Sequence, residues 1–157
     1  KMEFGHRALG NRSIIADPRN PKMKDIINKA VKYRETFRPF APAVLEEYQQ
    51  KIFKIRDKRK VYFMERVYEI KKSWQKKIPA VTHTDGTGRI QTVSKTTNLE
   101  FYKYIQEFYK ITNIPILLNT SFNVNGEPIV MTPEDAIRTF YSCGLDILIL
   151  DKFVITK

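Results

Sequence analysis

A chain of 157 residues with 42 % hydrophobic content has the material for one domain around a single sizeable core. Its one cysteine, Cys143, excludes an internal disulfide and a cysteine-based zinc site, and no apolar run approaches the roughly 18 residues that would span a membrane. The net charge of +11 calls for an anionic partner, with nucleic acid, a membrane surface and a multiply phosphorylated small molecule as the candidate classes. The first residues lack the charged-then-apolar order of a signal peptide, so a soluble, cytoplasmic chain is expected.

In chain order, the apolar positions Met23, Ile26, Ile27, Ala30 and Val31 predict a helix over 21–33. Between residues 46 and 78 there are 11 Lys/Arg against 5 Asp/Glu, so six of the excess positive charges fall in one stretch. Apolar residues are spaced through its lysines as on a solvated amphipathic face, and no glycine loosens it as in a nucleic-acid tail. Asn98 is placed to cap a helix over 99–111, whose Phe101, Tyr102, Ile105, Phe108 and Tyr109 make an apolar stripe. Thr132-Pro133-Glu134-Asp135 starts a third helix, with a cap, an early proline and two acids at the positive dipole end; Gly144 is its expected stop.

Strands are expected at 61–68, 89–93 and 114–118, and at 147–150 and 153–155, the last two forming a hairpin across Asp151-Lys152. Ile14-Ile15-Ala16 is strand-like. The runs Ile116-Leu117-Leu118 and Ile147-Leu148-Ile149-Leu150 suit strands covered on both faces. The expected fold class is α/β, a single domain over 1–157 with a twisted mixed sheet and flanking helices.

Five of the six glycines fall in three polar loops, where backbone can approach a ligand closely. The first loop, Glu3-Phe4-Gly5-His6-Arg7-Ala8-Leu9-Gly10-Asn11-Arg12-Ser13, carries two arginines whose planar forks suit phosphate oxygens. The alternative is that one of them pairs with Glu3 or Asp17 to hold a turn. Another cationic stretch, Lys32-Tyr33-Arg34-Glu35-Thr36-Phe37-Arg38-Pro39-Phe40-Ala41-Pro42-Ala43-Val44, is stiffened beyond Arg38 by its prolines. His83-Thr84-Asp85-Gly86-Thr87-Gly88-Arg89 sets Arg89 at a strand mouth, and is equally a hairpin turn. Asn119-Thr120-Ser121-Phe122-Asn123-Val124-Asn125-Gly126-Glu127-Pro128 follows a strand end, where ligands of α/β sheets tend to bind. Its amides and hydroxyls can orient phosphate or carbonyl oxygens without adding charge; the alternative is an Asx-rich turn.

These four segments, in this order, resemble the C-terminal domain of the nodulation-type and antibiotic-tailoring O-carbamoyltransferases, nearly end to end. The resemblance implies a fold like the threonylcarbamoyl-adenylate synthase domain and the formation of a carbamoyl-adenylate from ATP and carbamoyl phosphate. It implies catalytic roles for Lys32 and Arg38, six residues apart, and for the Ser121-x-Asn123 triplet. Arg7, Arg89, Asn119 and Arg12 are the further substrate-binding candidates. His6 stands where many members have proline, which argues against a catalytic role.

Magnesium is expected to arrive with the ATP phosphates, with no metal ligand on this chain. The family also implies a larger N-terminal domain of the same polypeptide, carrying an iron-type metal site and passing the carbamoyl group to a hydroxyl-bearing acceptor. That domain is absent from these 157 residues, and the abrupt start within a motif suggests a piece of a longer protein. Two rival readings remain: an RNA-binding module acting through 46–78, and a non-catalytic interaction domain of the same fold. Nucleic acid and membrane are not the expected partners.

Overall fold

The computed structural model of the protein describes every residue except Phe4, His6, Arg34, Thr36, Asp57 and Lys58. The sequence readings that fall on His6, Arg34 and Lys58 therefore lie outside the described residues.

Five strands form one mixed sheet in the order β1-β5-β2-β4-β3. They are β1 (Ser13–Ala16), β2 (Ala41–Leu45), β3 (Arg66–Glu69), β4 (Thr87–Val93) and β5 (Ile116–Ser121). Only β2 and β4 run parallel; the other pairs are antiparallel. Five helices accompany them: α1 (Met23–Ile27), α2 (Gln49–Ile52), α3 (Lys72–Gln75), α4 (Leu99–Thr112) and α5 (Pro133–Ser142). The expected C-terminal hairpin forms as β6 (Ile147–Leu150) and β7 (Phe153–Thr156), a separate two-stranded sheet. The architecture is thus α/β with a mixed sheet and flanking helices.

Strand alternation divides the core. Leu117, Ala43, Leu45 and Val93 face one side, where Phe101, Tyr102 and Ile105 of α4 cover them. Ile116, Leu118, Val44 and Ile90 face the other side and pack with Ile27, Ile52, Phe53 and Ile78. The second set includes the apolar residues of the basic 46–78 stretch. They are core, and the lysines between them pair locally: Lys54 with Glu69 at 2.5 Å and Lys60 with Glu46 at 2.6 Å. A third cluster joins Ile14, Phe122, Phe140, Leu148 and Cys143, so the lone cysteine is a packing residue. No helix of the described residues is long and apolar enough to cross a membrane.

Several boundaries differ from expectation for local reasons. The helix over 21–33 is regular only through Ile27, and then widens into a π-type turn over Asn28–Lys32 that ends on Tyr33 at φ 44°. The Tyr33 N–H reaches back five residues to the Asn28 carbonyl at 2.6 Å. β2 is fully buried yet contains Pro42. It pairs with β5 from Ala41 but with β4 only from Ala43 onward, so the missing N–H of Pro42 falls before the β4 ladder begins. The strand expected over 61–68 shrinks to Arg66–Glu69, because Met64 at φ 58° turns the chain just before it.

α4 is capped as expected by the Asn98 side chain, and α5 by a reciprocal Thr132–Asp135 box. α5 ends at Ser142 with Cys143 as its cap. Gly144 instead donates its N–H to the Ala30 carbonyl at 2.9 Å, and a Cβ on it would stand 2.9 Å from the Ala30 Cβ. Its smallness serves contact with the π-type turn rather than a helix stop.

Candidate functional site

Lys32 ends the π-type turn and is 5 % exposed. Its Nζ lies 2.6 Å from the Ser121 carbonyl, 2.8 Å from the Asn123 carbonyl, 2.8 Å from Asn123 Oδ1 and 3.3 Å from Ser121 Oγ. The Ser121 hydroxyl donates to Asn123 Oδ1 at 2.6 Å, and Asn123 Nδ2 donates to the Glu127 carbonyl at 2.7 Å. An ammonium has three protons for these four neutral oxygens, so it fixes both backbone and side chains of the loop after β5. Residues 89 positions apart in sequence become one cluster.

The opposite wall is built from the first glycine loop. The Glu3 carboxylate accepts from the backbone N–H of Leu9 (2.6 Å), Asn11 (3.1 Å) and Arg12 (3.0 Å), and from Asn11 Nδ2 (3.1 Å). Glu3 therefore orders the loop by gathering its amides, not by pairing with an arginine. Asp17 pairs with Arg19 at 2.5 Å, which removes the other suggested arginine partner.

The loop is strapped over the sheet at Ala8 and Leu9. Asn119 Nδ2 donates to the Ala8 carbonyl at 3.0 Å and to Gln91 Oε1 at 2.7 Å, while Gln91 Nε2 donates to the Leu9 carbonyl at 3.0 Å. Asn119 on β5 and Gln91 on β4 flank β2, and register places them beside Ala41 and Ala43. Those two small side chains leave the space in which the amides meet.

Between strap and sheet lies a cavity of about 80 Å³, walled by Arg7, Pro39, Phe40, Met64, Arg89, Asn119 and Ser121 among others. Arg7 is half-buried and forms no ion pair among the described residues. A larger cavity of about 380 Å³ lies beside Leu9, Asn11, Tyr62, Phe63, Gln91, Thr97 and Asn98. The two adjoin, since Arg89 and Gln91 project from the same side of β4, and Ala8 and Leu9 are consecutive in the strap. The first suits a phosphate- or carbamoyl-sized group; the second falls within the usual range for organic ligands, about 300–1,000 Å³.

The candidates thus fall into three groups. Lys32, Ser121 and Asn123 form one cluster. Arg7, Arg89, Asn119 and again Ser121 line the small cavity. Arg38 and Arg12 stand apart: Arg38 is exposed and pairs with Glu35 at 3.1 Å, next to cavity-lining Pro39, while Arg12 Nη2 donates to the Met131 carbonyl at 3.2 Å near the start of α5. Glu3 and Gln91 were not singled out from sequence. The charge of Glu3 suggested an arginine partner, and only the closed loop shows its amide partners.

His83 supports the turn that feeds β4. Thr87 Oγ1 donates to Asp85 Oδ1 at 2.7 Å, so its contact with His83 Nδ1 at 2.9 Å requires a proton on Nδ1. Nε2 is then a bare, buried acceptor without a hydrogen-bond partner among the described residues. Burial pulls the imidazole below its ordinary value of 6.5, and the cations Arg89 and Lys24 push the same way against Asp85. The unfolded chain therefore holds more protons between the lowered folded value and about 6.5, and stability falls as pH drops through that interval. Urea midpoints measured from pH 7.5 down to 5 should show this slope in wild type. His83→Asn, which keeps a donor near Thr87, should flatten it; an unchanged slope would exclude His83 as its source.

Among the described residues no group of three or more His, Cys, Asp or Glu could hold a metal ion. The chemistry on offer is cationic and hydrogen-bonding, arranged around a small cavity. The family described as Carbamoyltransferase C-terminus matches residues 1–157.

This chain belongs to that family.

It is 49 % identical to the nodulation protein NolO of Bradyrhizobium diazoefficiens over 158 residues, covering 100 % of this chain and 29 % of that protein. With the nodulation protein NolNO of Sinorhizobium fredii it shares 50 % identity, covering 100 % of this chain and 23 % of the relative. Nodulation protein U of Rhizobium tropici is 41 % identical over 126 residues, 80 % of this chain and 21 % of its own length. The chain spans less than a third of the length of these relatives. The resemblance drawn from four ordered motifs is borne out, and each motif contributes at least one residue to the wall of the small cavity: Arg7, Phe40, Arg89 and Asn119.

Proposed function

We propose that this carbamoyltransferase C-terminal chain binds ATP and carbamoyl phosphate and forms a carbamoyl-adenylate, whose carbamoyl group an N-terminal domain of the same polypeptide passes to a hydroxyl acceptor. The observation that carries the reading is the small cavity with Arg7 and Arg89 in its wall, next to the loop that Lys32 holds. Water splits carbamoyl phosphate into carbamate and inorganic phosphate. A carbamate oxygen then attacks the α-phosphorus of ATP, the bond to the β-phosphate breaks, and pyrophosphate leaves.

Both attack and departure gather negative charge, which fixed cations stabilise more in the transition state than in the ground state. Arg7 and Arg89 supply the charge at the cavity wall, and Ser121 and Asn123 keep the loop edge in place. Magnesium travels with the ATP phosphates and shields their charge. The adjoining larger cavity has aromatic and amide walls suited to a nucleoside.

Arg38 enters this reading by exchanging Glu35 for the nucleotide. An exposed pair of this kind contributes about 0–1 kcal/mol, so little opposes the exchange. Arg38→Ala should weaken ATP binding about tenfold, from the loss of one charge-assisted contact. Equal calorimetric affinities in variant and wild type would remove Arg38 from the site.

The central test is carbamoyl-phosphate-dependent exchange of labelled pyrophosphate into ATP by the full-length polypeptide. Exchange should occur in wild type and fall at least about 100-fold in Arg7→Ala and Arg89→Ala. No exchange, together with tight and salt-dependent RNA binding abolished by charge reversal at Lys58, Arg59 and Lys60, would favour the RNA-binding rival.

A further inference from the structure

Asn119 is 1 % exposed, and its amide orientation is fixed twice over. Both Nδ2 protons are committed, to the Ala8 carbonyl and to Gln91 Oε1. Turning the amide over would set Oδ1 against two acceptors. Turning Gln91 over to compensate would set its own oxygen against the Leu9 carbonyl, which now receives Nε2. The hydrogen bonds therefore hold both amides in a single orientation.

What remains is Asn119 Oδ1, a buried acceptor with no hydrogen-bond partner among the described residues. Such a group ordinarily finds a partner, and Asn119 lines the small cavity with Arg7, Arg89 and Ser121. Arginines attract any small oxyanion and cannot distinguish one acyl phosphate from another. A lone carbonyl oxygen among them repels oxyanions and calls for a hydrogen-bond donor, which a fully ionised phosphate does not carry. A carbamoyl group is the acyl group that carries its N–H donors directly on the carbonyl carbon.

We propose that Asn119 Oδ1 accepts a hydrogen bond from the carbamoyl NH₂ and so makes the cavity select carbamoyl over other acyl phosphates. This rests on the reading of the cavity given above. The informative comparison is acetyl phosphate, in which a methyl group of similar size replaces the NH₂ and leaves Oδ1 buried against carbon. A site built around a substrate N–H rejects the analogue that lacks it, since the protein's own polar atom is left without a partner.

The test is calorimetric titration of the full-length polypeptide with carbamoyl phosphate, acetyl phosphate and inorganic phosphate. Wild type should prefer carbamoyl over acetyl phosphate by about tenfold or more, the worth of one hydrogen bond of about 1.4 kcal/mol. Asn119→Ala should bring the ratio to about one, with inorganic phosphate reporting how far loss of its bonds to Ala8 and Gln91 weakens binding of all three ligands alike. Gln91→Ala breaks the same Asn119–Gln91 bond but keeps Oδ1, and should retain the preference.

A wild type that binds both acyl phosphates equally overturns the role of Asn119 alone. A wild type that binds neither overturns the reading of the cavity, and this proposal with it. Because the wild-type ratio needs no variant, failure of Asn119→Ala to fold would not shelter the proposal. An Asn119→Ala protein that folds and keeps the wild-type ratio refutes it equally.

Discussion

Lys32→Met should lose both stability and activity, and the two losses have separable causes. Removing Nζ leaves the part-buried carbonyls of Ser121 and Asn123 without this donor, while Asn123 Oδ1 keeps the Ser121 hydroxyl. Hydrogen bonds to a charged group contribute about 1.5–3 kcal/mol each, and the variant recovers the desolvation cost of burying an ammonium. A net loss of about 2–4 kcal/mol follows. For a domain of this size that lowers Tm by roughly 4–16 °C, measurable by calorimetry.

Pyrophosphate exchange should fall further than stability explains, by at least about 100-fold under conditions where the variant is folded. The Ser121–Asn123 loop forms one edge of the site, and without its central cation both carbonyls turn elsewhere for donors. A Lys32→Met protein as stable as wild type would mean that the loop holds itself. One that is destabilised but fully active would restrict Lys32 to a structural role.

How much of this was legible in sequence depends on the range of the interaction. α4 and α5 were readable because each signal is local: an apolar stripe every three to four residues, and a cap one residue before the first turn. The β6–β7 hairpin was readable for the same reason. β2 was not, since Pro39 and Pro42 read as breakers, and only pairing with β5 and β4 shows that one proline sits where its missing N–H faces no partner. The segment 46–78 was misleading in one respect. Its apolar residues are core, and charge density concealed a periodicity broken into short helices and turns.

The site divides similarly. Arg7 and Arg89 could be suspected from arginines in glycine-bearing loops, a pattern with a physical meaning at short range. That Lys32 meets Ser121 and Asn123 could be drawn only from the family resemblance, because no sequence period spans 89 residues. The amide bridge over Ala41 and Ala43 had no signal at all. Two alanines in a buried strand look like ordinary filling until Asn119 and Gln91 are seen to use the space above them.

Gly10→Ala should show what holds the strap against the sheet. Gly10 has φ of 113°, in the region that side chains avoid, and a Cβ there would stand 2.3 Å from Cδ1 and 2.4 Å from Cγ of Phe101. Phe101 is 1 % exposed in the α4 core and has no room to withdraw. The strain contributes about 1–2 kcal/mol and the overlap about 1–3 kcal/mol, so a loss near 3 kcal/mol is expected. Gly126→Ala separates the two terms, since φ there is also positive, at 83°, but its Cβ would meet nothing within 4 Å. It should lose only about 1–2 kcal/mol. Relief should come from the double variant with Phe101→Ala, which removes Cγ and Cδ1 under the strap at the cost of core contacts. Coupling between the two positions of at least about 1 kcal/mol would establish the contact; simple additivity, or a Gly10→Ala loss no larger than that of Gly126→Ala, would show that the strap does not rest on α4. Because Arg7 lies three residues before Gly10, the same variant should weaken pyrophosphate exchange, and Phe101→Ala should restore part of it.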